Sequence, residues 1–415
     1  MSSLASRSAR LRFAFLRMRE EGLAWTFAEL ARRALPLPVW LLLLPVTAVL
    51  HLAGFRRLTV ITGRIGHFAA EVDCFLKLAA LGRLPRRRYF VTAPRGRVAN
   101  RCLADYWAGK VAMVRNPLAC ALLETMSRFG LMRHDVGDYV LTVSGAATYY
   151  RVNADWGDRP PLLRLTGTHA EQGRQALAAL GLPAGAWFVC VHVREGGYSS
   201  GDRKVHAHRD ASVDAIVPAM QAIVERGGWC VRMGDASTAP LAAMPGVIDY
   251  AHHPLRSPEL DVFLCASSRF FLGSSSGLFV VASVFGVPCA LANMVPFTGM
   301  SYAAGDLSMP KLVRSATAQR LLAFAEILSA PLANYRMGRM YADTGVRLVE
   351  NSGEEIRDLA LEMLDRIEGG RVREPPPDVL QERFRALLQP WHYCYGTPSH
   401  VAASFLRRHR DLLGG

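Results

Sequence analysis

The stretch WFVCVHVREGGY, from Trp187 to Tyr198, carries an apolar run directly into a polar loop that includes His192 and Arg194. Short apolar runs of this kind are typical of buried strands in parallel sheets. In an open α/β sheet, ligands bind beyond the carboxyl ends of the strands, where a guanidinium offers a rigid fork of donors to a phosphate or diphosphate. The stretch therefore predicts an α/β sheet with a site at the end of this strand.

A second stretch, RFFLGSSSG from Arg269 to Gly277, is followed by LFVVASVFGVP. It predicts a strand, a turn of small residues and a helix that begins near Ser275 or Ser276. Free backbone N–H groups and the positive end of a helix dipole make such a turn an anion site. Ser274, Ser275 and Ser276 also suit helix capping, and the two roles use the same geometry.

From Leu58 onward, predicted strands alternate with predicted helices, which is the pattern of a parallel, doubly wound sheet. The strands include LTVIT (Leu58 to Thr62) and GWCVRM (Gly228 to Met233), and a helix stop follows Leu180. Because 415 residues exceed one ordinary core, we expect two Rossmann-like α/β domains that face a cleft. The expected divisions are a membrane-associating segment at residues 1–57, an N-terminal acceptor domain at 58–182, a C-terminal donor domain at 183–370, and helices at 371–415 that pack back toward the N-terminal domain.

The composition restricts the class of partner. A net charge of +14 calls for an acidic partner such as a nucleotide, anionic lipid or nucleic acid. Nucleic acid is disfavoured, because the arginines are scattered and no DNA- or RNA-binding signature accompanies them. The eight cysteines show no C-x-x-C spacing, which predicts core residues in a reducing compartment, and no side chains at metal-ligand spacing predict a metal site.

The first 57 residues differ from the rest of the chain. Arginines between Arg7 and Arg19 alternate with apolar residues, as in a basic amphipathic helix on an anionic membrane surface. An apolar run follows from Ala34 to Phe55, and its prolines weaken any straight helix through it. The pattern predicts a monotopic or re-entrant anchor at the cytoplasmic face of the membrane. The alternative is a helix buried on the enzyme's own core.

Several motifs occur in order, and together they resemble a family of bacterial glycosyltransferases of surface polysaccharide synthesis. The motifs are RIGHFAAEVD (Arg64 to Asp73), VCVHVREGGY (Val189 to Tyr198), GGWCVRMGD (Gly227 to Asp235), VIDYAHHPLRSPELDVFLCASSRFFLGSSSG (Val247 to Gly277) and FGVPCALANMVP (Phe285 to Pro296). More distantly, His192 to Arg194 resembles the His-x-Arg loop of GT-B fucosyltransferases, whose arginine holds the diphosphate of GDP-fucose. Glu195 stands where those enzymes have a second basic residue. The resemblance therefore implies a GT-B fold and a nucleotide-sugar donor, but not fucose.

The residues predicted to bind the donor lie at strand ends, in turns or within these motifs. They are Gly66, Arg194, Tyr198, Arg209, Arg232, Gly234, Asp235, Ser274, Ser275, Ser276, Gly277 and Asn293. Arg209 and the neighbouring Asp210 could instead gate the site or belong to the solvated surface. Arg232, Gly234 and Asp235 could contact the base or ribose, or only form a turn.

The catalytic candidates are His67, Glu71 and His192. An inverting transfer needs a base for the acceptor hydroxyl proton, and His67, Glu71 or Asp73 at the start of a helix can supply one. Asp73 has a plainer role, since a carboxylate in a first helical turn stabilises the helix. His192 either contacts the substrate or braces its own loop. Dinucleotide and Walker motifs are absent from the sequence, which disfavours nicotinamide and ATP chemistry.

The predicted function is transfer of a sugar from a nucleotide-sugar donor to a lipid-linked or polysaccharide acceptor. The nucleotide sugar is a substrate, and no metal or other cofactor is expected. A nucleotide-sugar epimerase of the same fold is one alternative, although it would need no membrane segment. A scaffold without catalysis, within a polysaccharide assembly complex, is the other.

Overall fold

The computed structural model describes residues 37–137, 139–141, 146–196, 206–370, 372 and 378–414, together with Met18, Gly22, 26–28 and Ala31. Contacts divide the chain into two compact units, Met1–Thr148 and Tyr149–Gly415. This division falls earlier in the chain than the predicted one near Leu182. The predicted amphipathic helix over Arg7 to Arg19 lies outside the described residues, apart from Met18.

The described part of the first unit contains a parallel four-stranded sheet in the order β3-β2-β1-β4. Its strands are β1 (Phe55–Leu58), β2 (Arg88–Thr92), β3 (Ala112–Val114) and β4 (Arg133–His134), and its helices are α1 (Leu37–Leu52), α2 (Ile65–Ala80), α3 (Arg101–Ala108) and α4 (Pro117–Met126). Leu58 and Phe68 are buried in its core. The predicted strand over Leu58 to Thr62 is wrong, because the strand ends at Leu58 and residues 59–62 form the loop that leads to α2.

Helix α1 is apolar but only partly covered. On one side it packs near α4, where Trp40 Nε1 donates to Met126 O at 3.3 Å and the Trp40 ring meets Phe129 edge-on. On the other side, Leu42 is 80% exposed and Leu52 is 83% exposed. Within the described residues, no helix is both long enough and apolar enough to cross a membrane.

The second unit is built on a parallel seven-stranded sheet, as far as the structure describes it, in the order β13-β10-β9-β8-β5-β6-β7. Its strands are β5 (Phe188–His192), β6 (Trp229–Arg232), β7 (Val247–Ile248), β8 (Phe271–Gly273), β9 (Cys289–Met294), β10 (Leu307–Pro310) and β13 (His400–Val401), with β11 (Leu312–Ser315) and β12 (Val346–Val349) as a separate antiparallel pair. The prediction of an α/β fold with parallel sheets is confirmed.

The helices of the second unit alternate with these strands. They are α5 (Thr148–Trp156), which begins at the division, α6 (Gly167–Ala179), α7 (Val217–Glu225), α8 (Pro258–Ser267), α9 (Leu278–Val284), α10 (Phe324–Ile327), α11 (Gly338–Asp343), α12 (Gly353–Glu368), α13 (Val379–Ala386) and α14 (Ala403–Arg408). From β5 the chain adds β6 and β7 on one side of the sheet. It then returns to add β8, β9 and β10 on the other side, so the strand order reverses between β5 and β8.

Two groups of helices explain where the second unit begins and ends. Helix α6 packs on α8, where His169 Nε2 donates to Glu259 O at 2.9 Å and Gly173 lies directly against the Phe263 ring. The sequence had placed α6 in the N-terminal domain, because the helix stop at Leu180 looks like a linker. At the other end, His409 Nε2 contacts Glu355 Oε1 of α12 at 2.5 Å. The packing of residues 371–415 toward the N-terminal domain stays a prediction.

Candidate functional site

The carboxyl ends of β5 and β8 meet where the strand order of the second sheet reverses. Ser274 N donates to His192 O at 3.1 Å, and Arg194 N donates to Ser274 Oγ at 2.9 Å. A Cβ at Gly273 would lie 2.5 Å from His192 O, so glycine permits this close approach. Open α/β sheets bind ligands at such a switch point. The structure thus brings together the two stretches that the sequence singled out.

Arg194 lies at this switch point with part of its guanidinium available. Its Nε donates to Asp210 Oδ1 at 3.1 Å, and the two side chains are 19% and 25% exposed. Burial raises the pKa of Asp210, against the opposing effect of Arg194. Among the described residues, neither Nη group of Arg194 has a hydrogen-bond partner. The pair orients the guanidinium and leaves a fork of donors for an anion.

The serines after β8 hold the site together and do not cap a helix. Arg209 Nε donates to Ser275 Oγ at 3.2 Å, and Arg209 Nη2 donates to Ser275 O at 2.7 Å. Helix α9 begins at Leu278 after Gly277, without a side-chain cap. The predicted helix start near Ser275 or Ser276 is therefore wrong, and the hydroxyls of Ser274 and Ser275 instead accept hydrogen bonds from the loops that follow β5.

Two buried polar atoms at the switch point have no hydrogen-bond partner within the described residues. They are His192 Nδ1 and Ser276 Oγ. Most buried polar atoms in folded proteins are hydrogen-bonded, so two unpaired atoms in the strand-end loops that also carry Arg194 are candidates for contact with a ligand. Burial, with Arg232 and Arg194 adding to it, lowers the pKa of His192 to about 4. The imidazole is then neutral near pH 7 but only weakly basic, and this low basicity favours a hydrogen-bonding role over that of a general base.

Arg232 occupies a buried position and is only 2% exposed. Its Nη1 donates to Asp249 Oδ1 at 3.0 Å, and its Nη2 donates to Glu195 Oε1 and to Ala239 O, each at 2.8 Å. Glu195 Oε2 accepts from Ala239 N at 2.8 Å. Arg232 was predicted to contact the nucleotide-sugar donor. In the structure its guanidinium is paired within the protein and holds Glu195 in place.

A cavity of about 540 Å³ opens beside the switch point, between the loops that follow β5 and β6. It is lined by Glu195, Gly196, Ala207, Asp210, Ser237, Thr238 and Ala239. Asp235 shapes its floor as a turn residue, because its Oδ1 accepts from Ser237 N at 2.8 Å and its carbonyl accepts from Thr238 Oγ1 at 2.7 Å. Gly234, one residue earlier, belongs to the same turn. Sequence reasoning did not assign Glu195 a role, although its place one residue after Arg194 was a usable signal.

Asn293 has a different role from the predicted one, and the structure adds a lysine that the sequence did not indicate. Asn293 is buried and exchanges hydrogen bonds with Asn351, which is a structural pairing. Lys311 was not identified from the sequence, yet its Nζ donates to Asp210 O at 2.6 Å, and burial lowers its pKa. No local sequence pattern indicates this lysine, because it lies between β10 and β11, far from Asp210 in the chain. Tyr198 lies outside the described residues.

In the first unit, His67 and Glu71 form a hydrogen-bonded pair on one face of α2. His67 Nδ1 donates to Glu71 Oε1 at 2.8 Å, and Glu71 Oε2 accepts from Ile61 N at 2.9 Å. The histidine side chain is 32% exposed and that of Glu71 is 3% exposed. A carboxylate on Nδ1–H fixes the tautomer and leaves Nε2 as the proton acceptor.

The other predicted residues near this pair have plainer roles. Gly66 lies in the first turn of α2. Asp73 Oδ2 pairs with Lys77 Nζ at 2.6 Å in the buried part of the helix. The structural role for Asp73 is therefore favoured over a catalytic one. Across the described residues, no three His, Cys, Asp or Glu side chains cluster so that they could hold a metal ion.

The sequence matches no protein-family model and no curated protein. Among solved structures, it is similar to a glycosyl transferase of family 9 from Veillonella parvula, with 10% identity, a TM-score of 0.43 and coverage of 75% of this chain and 98% of that one. The dodecameric, iron-containing glycosyltransferase TibC of enterotoxigenic E. coli gives 14% identity, a TM-score of 0.36 and coverage of 61% and 62%. The E. coli ADP-heptose lipopolysaccharide heptosyltransferase II gives 14% identity, a TM-score of 0.32 and coverage of 57% and 84%. Similarity at this level assigns neither a family nor a substrate to the chain.

Proposed function

We propose that the protein is a glycosyltransferase of GT-B type that moves a sugar from a nucleotide-sugar donor to a lipid-linked or polysaccharide acceptor. One observation carries the proposal. Within the part of the chain that the structure describes, His192 Nδ1 and Ser276 Oγ are buried without hydrogen-bond partners, in the same strand-end loops that carry Arg194 at the switch point of a parallel α/β sheet. This arrangement suits a diphosphate, which offers several acceptor oxygens and negative charge.

The donor chemistry follows from these groups. Transfer breaks the bond between the anomeric carbon of the sugar and a phosphate oxygen, and negative charge develops on the leaving nucleoside diphosphate. Arg194 would neutralise that charge, while the Ser276 hydroxyl and the His192 ring N–H would donate hydrogen bonds to the phosphate oxygens. Preorganised donors of this kind can do the electrostatic work that a metal ion does in other transferases. Activity in the presence of EDTA is therefore part of the proposal.

The acceptor hydroxyl must lose a proton as its oxygen bonds to the anomeric carbon. We assign that proton to His67 Nε2, because Glu71 fixes the neutral tautomer and can stabilise the imidazolium that forms. Glu71 is itself held by the backbone N–H of Ile61, so the pair is preorganised. Glu71 would then act through His67 and would not contact the acceptor.

A membrane-bound acceptor is supported by helix α1. Its exposed apolar side chains can enter the lipid interface, and arginines lie at its carboxyl end. Burial lowers the pKa of His51, and the nearby charges of Arg56 and Arg87 lower it further, which puts both arginines close to the end of the helix. An anionic membrane at the cytoplasmic face would complement this charge.

The test begins with UDP-, GDP-, ADP-, CDP- and CMP-linked sugars, each screened for thermal stabilisation and for turnover with lipid extracts. We expect one donor class to bind and its sugar to be transferred. Arg194→Ala should lower donor affinity or rate roughly tenfold to a hundredfold, for a charge-assisted contact of about 1.5 to 3 kcal/mol. Arg226→Ala is the matched control, because Arg226 pairs with Asp365 on the exposed surface.

The alternatives give different results in the same assays. Conversion of the donor without an acceptor would indicate an epimerase, and donor binding without turnover would indicate a scaffold. Full activity of Arg194→Ala would remove Arg194 from the reaction. Loss of activity in EDTA that Mg²⁺ or Mn²⁺ restores would contradict the electrostatic role given to the arginine.

A further inference from the structure

Glu195 lines the cavity next to the proposed diphosphate site, yet the diphosphate chemistry does not use it. Its side chain is 18% exposed, and it follows Arg194 in the chain. A carboxylate here would repel a second phosphate group. The polar ligand groups from which this carboxylate can accept hydrogen bonds are hydroxyls and amines.

The carboxylate is held in one orientation. Oε1 accepts from Arg232 Nη2 and Oε2 accepts from Ala239 N, each at 2.8 Å. Arg232 is fixed in turn by Asp249 and by Ala239 O. Each carboxylate oxygen can accept more than one hydrogen bond, so both retain acceptor capacity. Glu195 therefore offers the cavity two oxygens at a fixed separation, which suits two hydroxyls on neighbouring carbons.

The position of the cavity indicates which hydroxyls these are. It lies between the loops after β5 and β6, adjacent to the switch point between β5 and β8. In doubly wound sheets, a nucleotide places its phosphates at the switch point and its ribose toward the neighbouring strand, where an acidic side chain accepts from the ribose. The volume of about 540 Å³ lies in the range of small-molecule pockets.

We propose that Glu195 binds the 2′- and 3′-hydroxyls of the ribose of a nucleoside diphosphate, and that the cavity takes the nucleoside. The inference rests on the proposed function, since it takes the diphosphate to lie on Arg194. It makes the protein selective for ribonucleotides over 2′-deoxyribonucleotides. It also makes Glu195 a specificity residue that is separate from the phosphate contacts.

The experiment measures the affinity of the full chain for ADP, GDP, UDP and CDP, for their 2′-deoxy counterparts, and for pyrophosphate. Sugar-free nucleotides are used so that only the ribose can supply the diol. We expect the tightest ribonucleotide to bind at least about tenfold more tightly than its deoxy form, because a hydrogen bond to a charged group is lost. In Glu195→Gln that preference should fall to about twofold or less, with pyrophosphate affinity unchanged.

A second variant keeps the proposal testable if Glu195→Gln fails to fold. Ser237 is exposed and lines the cavity, so Ser237→Trp adds bulk there without touching the bonds of Glu195. This variant should lose nucleotide affinity and retain that for pyrophosphate. Arg194→Ala, by contrast, should weaken the binding of pyrophosphate.

The outcomes separate this inference from the function on which it rests. Equal affinity for ribo- and deoxyribonucleotides in the wild type, with both weakened by Arg194→Ala, would overturn the ribose site and leave the transferase proposal standing. Weaker pyrophosphate binding in a folded Glu195→Gln would also overturn it, because Glu195 would then support the phosphate loop. If no nucleoside diphosphate binds, both proposals fail.

Discussion

At the scale of single residues, arginines at the ends of neighbouring strands differ in how many of their hydrogen-bond donors are already paired. Arg194 and Arg232 both follow or end a strand, and the sequence gives them similar weight. Within the described residues, Arg194 retains unpaired donors at the switch point, whereas Arg232 is buried between two carboxylates. The same residue type thus has a proposed binding role in one place and a supporting role in the other.

His67 and Glu71 provide a prediction about the proton transfer. His67→Asn should lower kcat by about a hundredfold or more, since it removes the general base, while donor affinity changes little. Glu71→Gln should reduce kcat less, because the histidine keeps its Nε2 but loses its orienting charge. Steady-state kinetics against donor and acceptor separately would test this. Asp105→Asn, at an exposed ion pair of the same unit, is the control; an active His67→Asn enzyme would contradict the assignment.

His192 provides a prediction about stability and pH. Its pKa is about 4 in the folded protein and near 6.5 when unfolded, so between these values the unfolded chain binds the extra proton. Stability from this group is complete above pH 6.5 and is lost as the pH falls toward 4. Between pH 7 and pH 5, His192→Gln should lose roughly 1 to 2 kcal/mol less unfolding free energy than the wild type. Denaturant titrations at both pH values would measure it, and parallel losses would contradict a buried neutral imidazole.

At the scale of elements, the fit between α6 and α8 depends on a missing side chain. A Cβ on Gly173 would lie 2.1 Å from Phe263 Cδ2, so the buried phenyl ring or one of the helices would have to shift. Gly173→Ala should therefore destabilise the protein by about 1 to 3 kcal/mol, despite the better helix propensity of alanine. Gly167→Ala, at the exposed start of the same helix, has open space and should be neutral or slightly stabilising. Thermal unfolding of both variants tests the packing, and equal stability would contradict it.

Helix α1 provides the prediction about membranes. Leu42 and Leu52 are 80% and 83% exposed, so replacing them should not disturb folding. Leu42→Glu and Leu52→Glu should each weaken binding to vesicles containing phosphatidylglycerol by about tenfold, through lost apolar burial and added negative charge. Val379→Glu, at an apolar position of the second unit that is 70% exposed, is the control. Vesicle co-sedimentation measures the effect, and undiminished binding would place the membrane contact elsewhere.

At the scale of the whole molecule, the contacts of the strand-end site lie within the second unit. Residues 149–415 expressed alone should therefore fold cooperatively and bind pyrophosphate with the affinity of the full chain. Residues 183–415, which follow the boundary expected from sequence, should be unstable, because they lack α6 and the bond from Tyr150 Oη to Met300 O. Calorimetry of the two fragments distinguishes the divisions, and equal stability would favour the later one.

The sequence by itself determined the elements whose signal is local. Apolar runs such as residues 187–193 and 288–292 predict buried strands, because a strand in a parallel sheet is covered on both faces. Their alternation with helices predicts parallel α/β sheets. These inferences hold because each depends on residues that are close together in the chain.

Only the tertiary structure decided which of the candidate residues are paired with other side chains of the protein. Glu195 and Asp249 are brought to Arg232, and Ser274 to Arg194, by pairing of strands that are far apart in sequence. The helix start at Leu278 and the division at Thr148 also depend on partners elsewhere in the fold. Hydrogen bonds and packing between residues that are far apart in sequence leave no periodic pattern in the chain. An arginine at a strand end can therefore contact a ligand or hold another side chain in place, and the sequence does not distinguish the two roles.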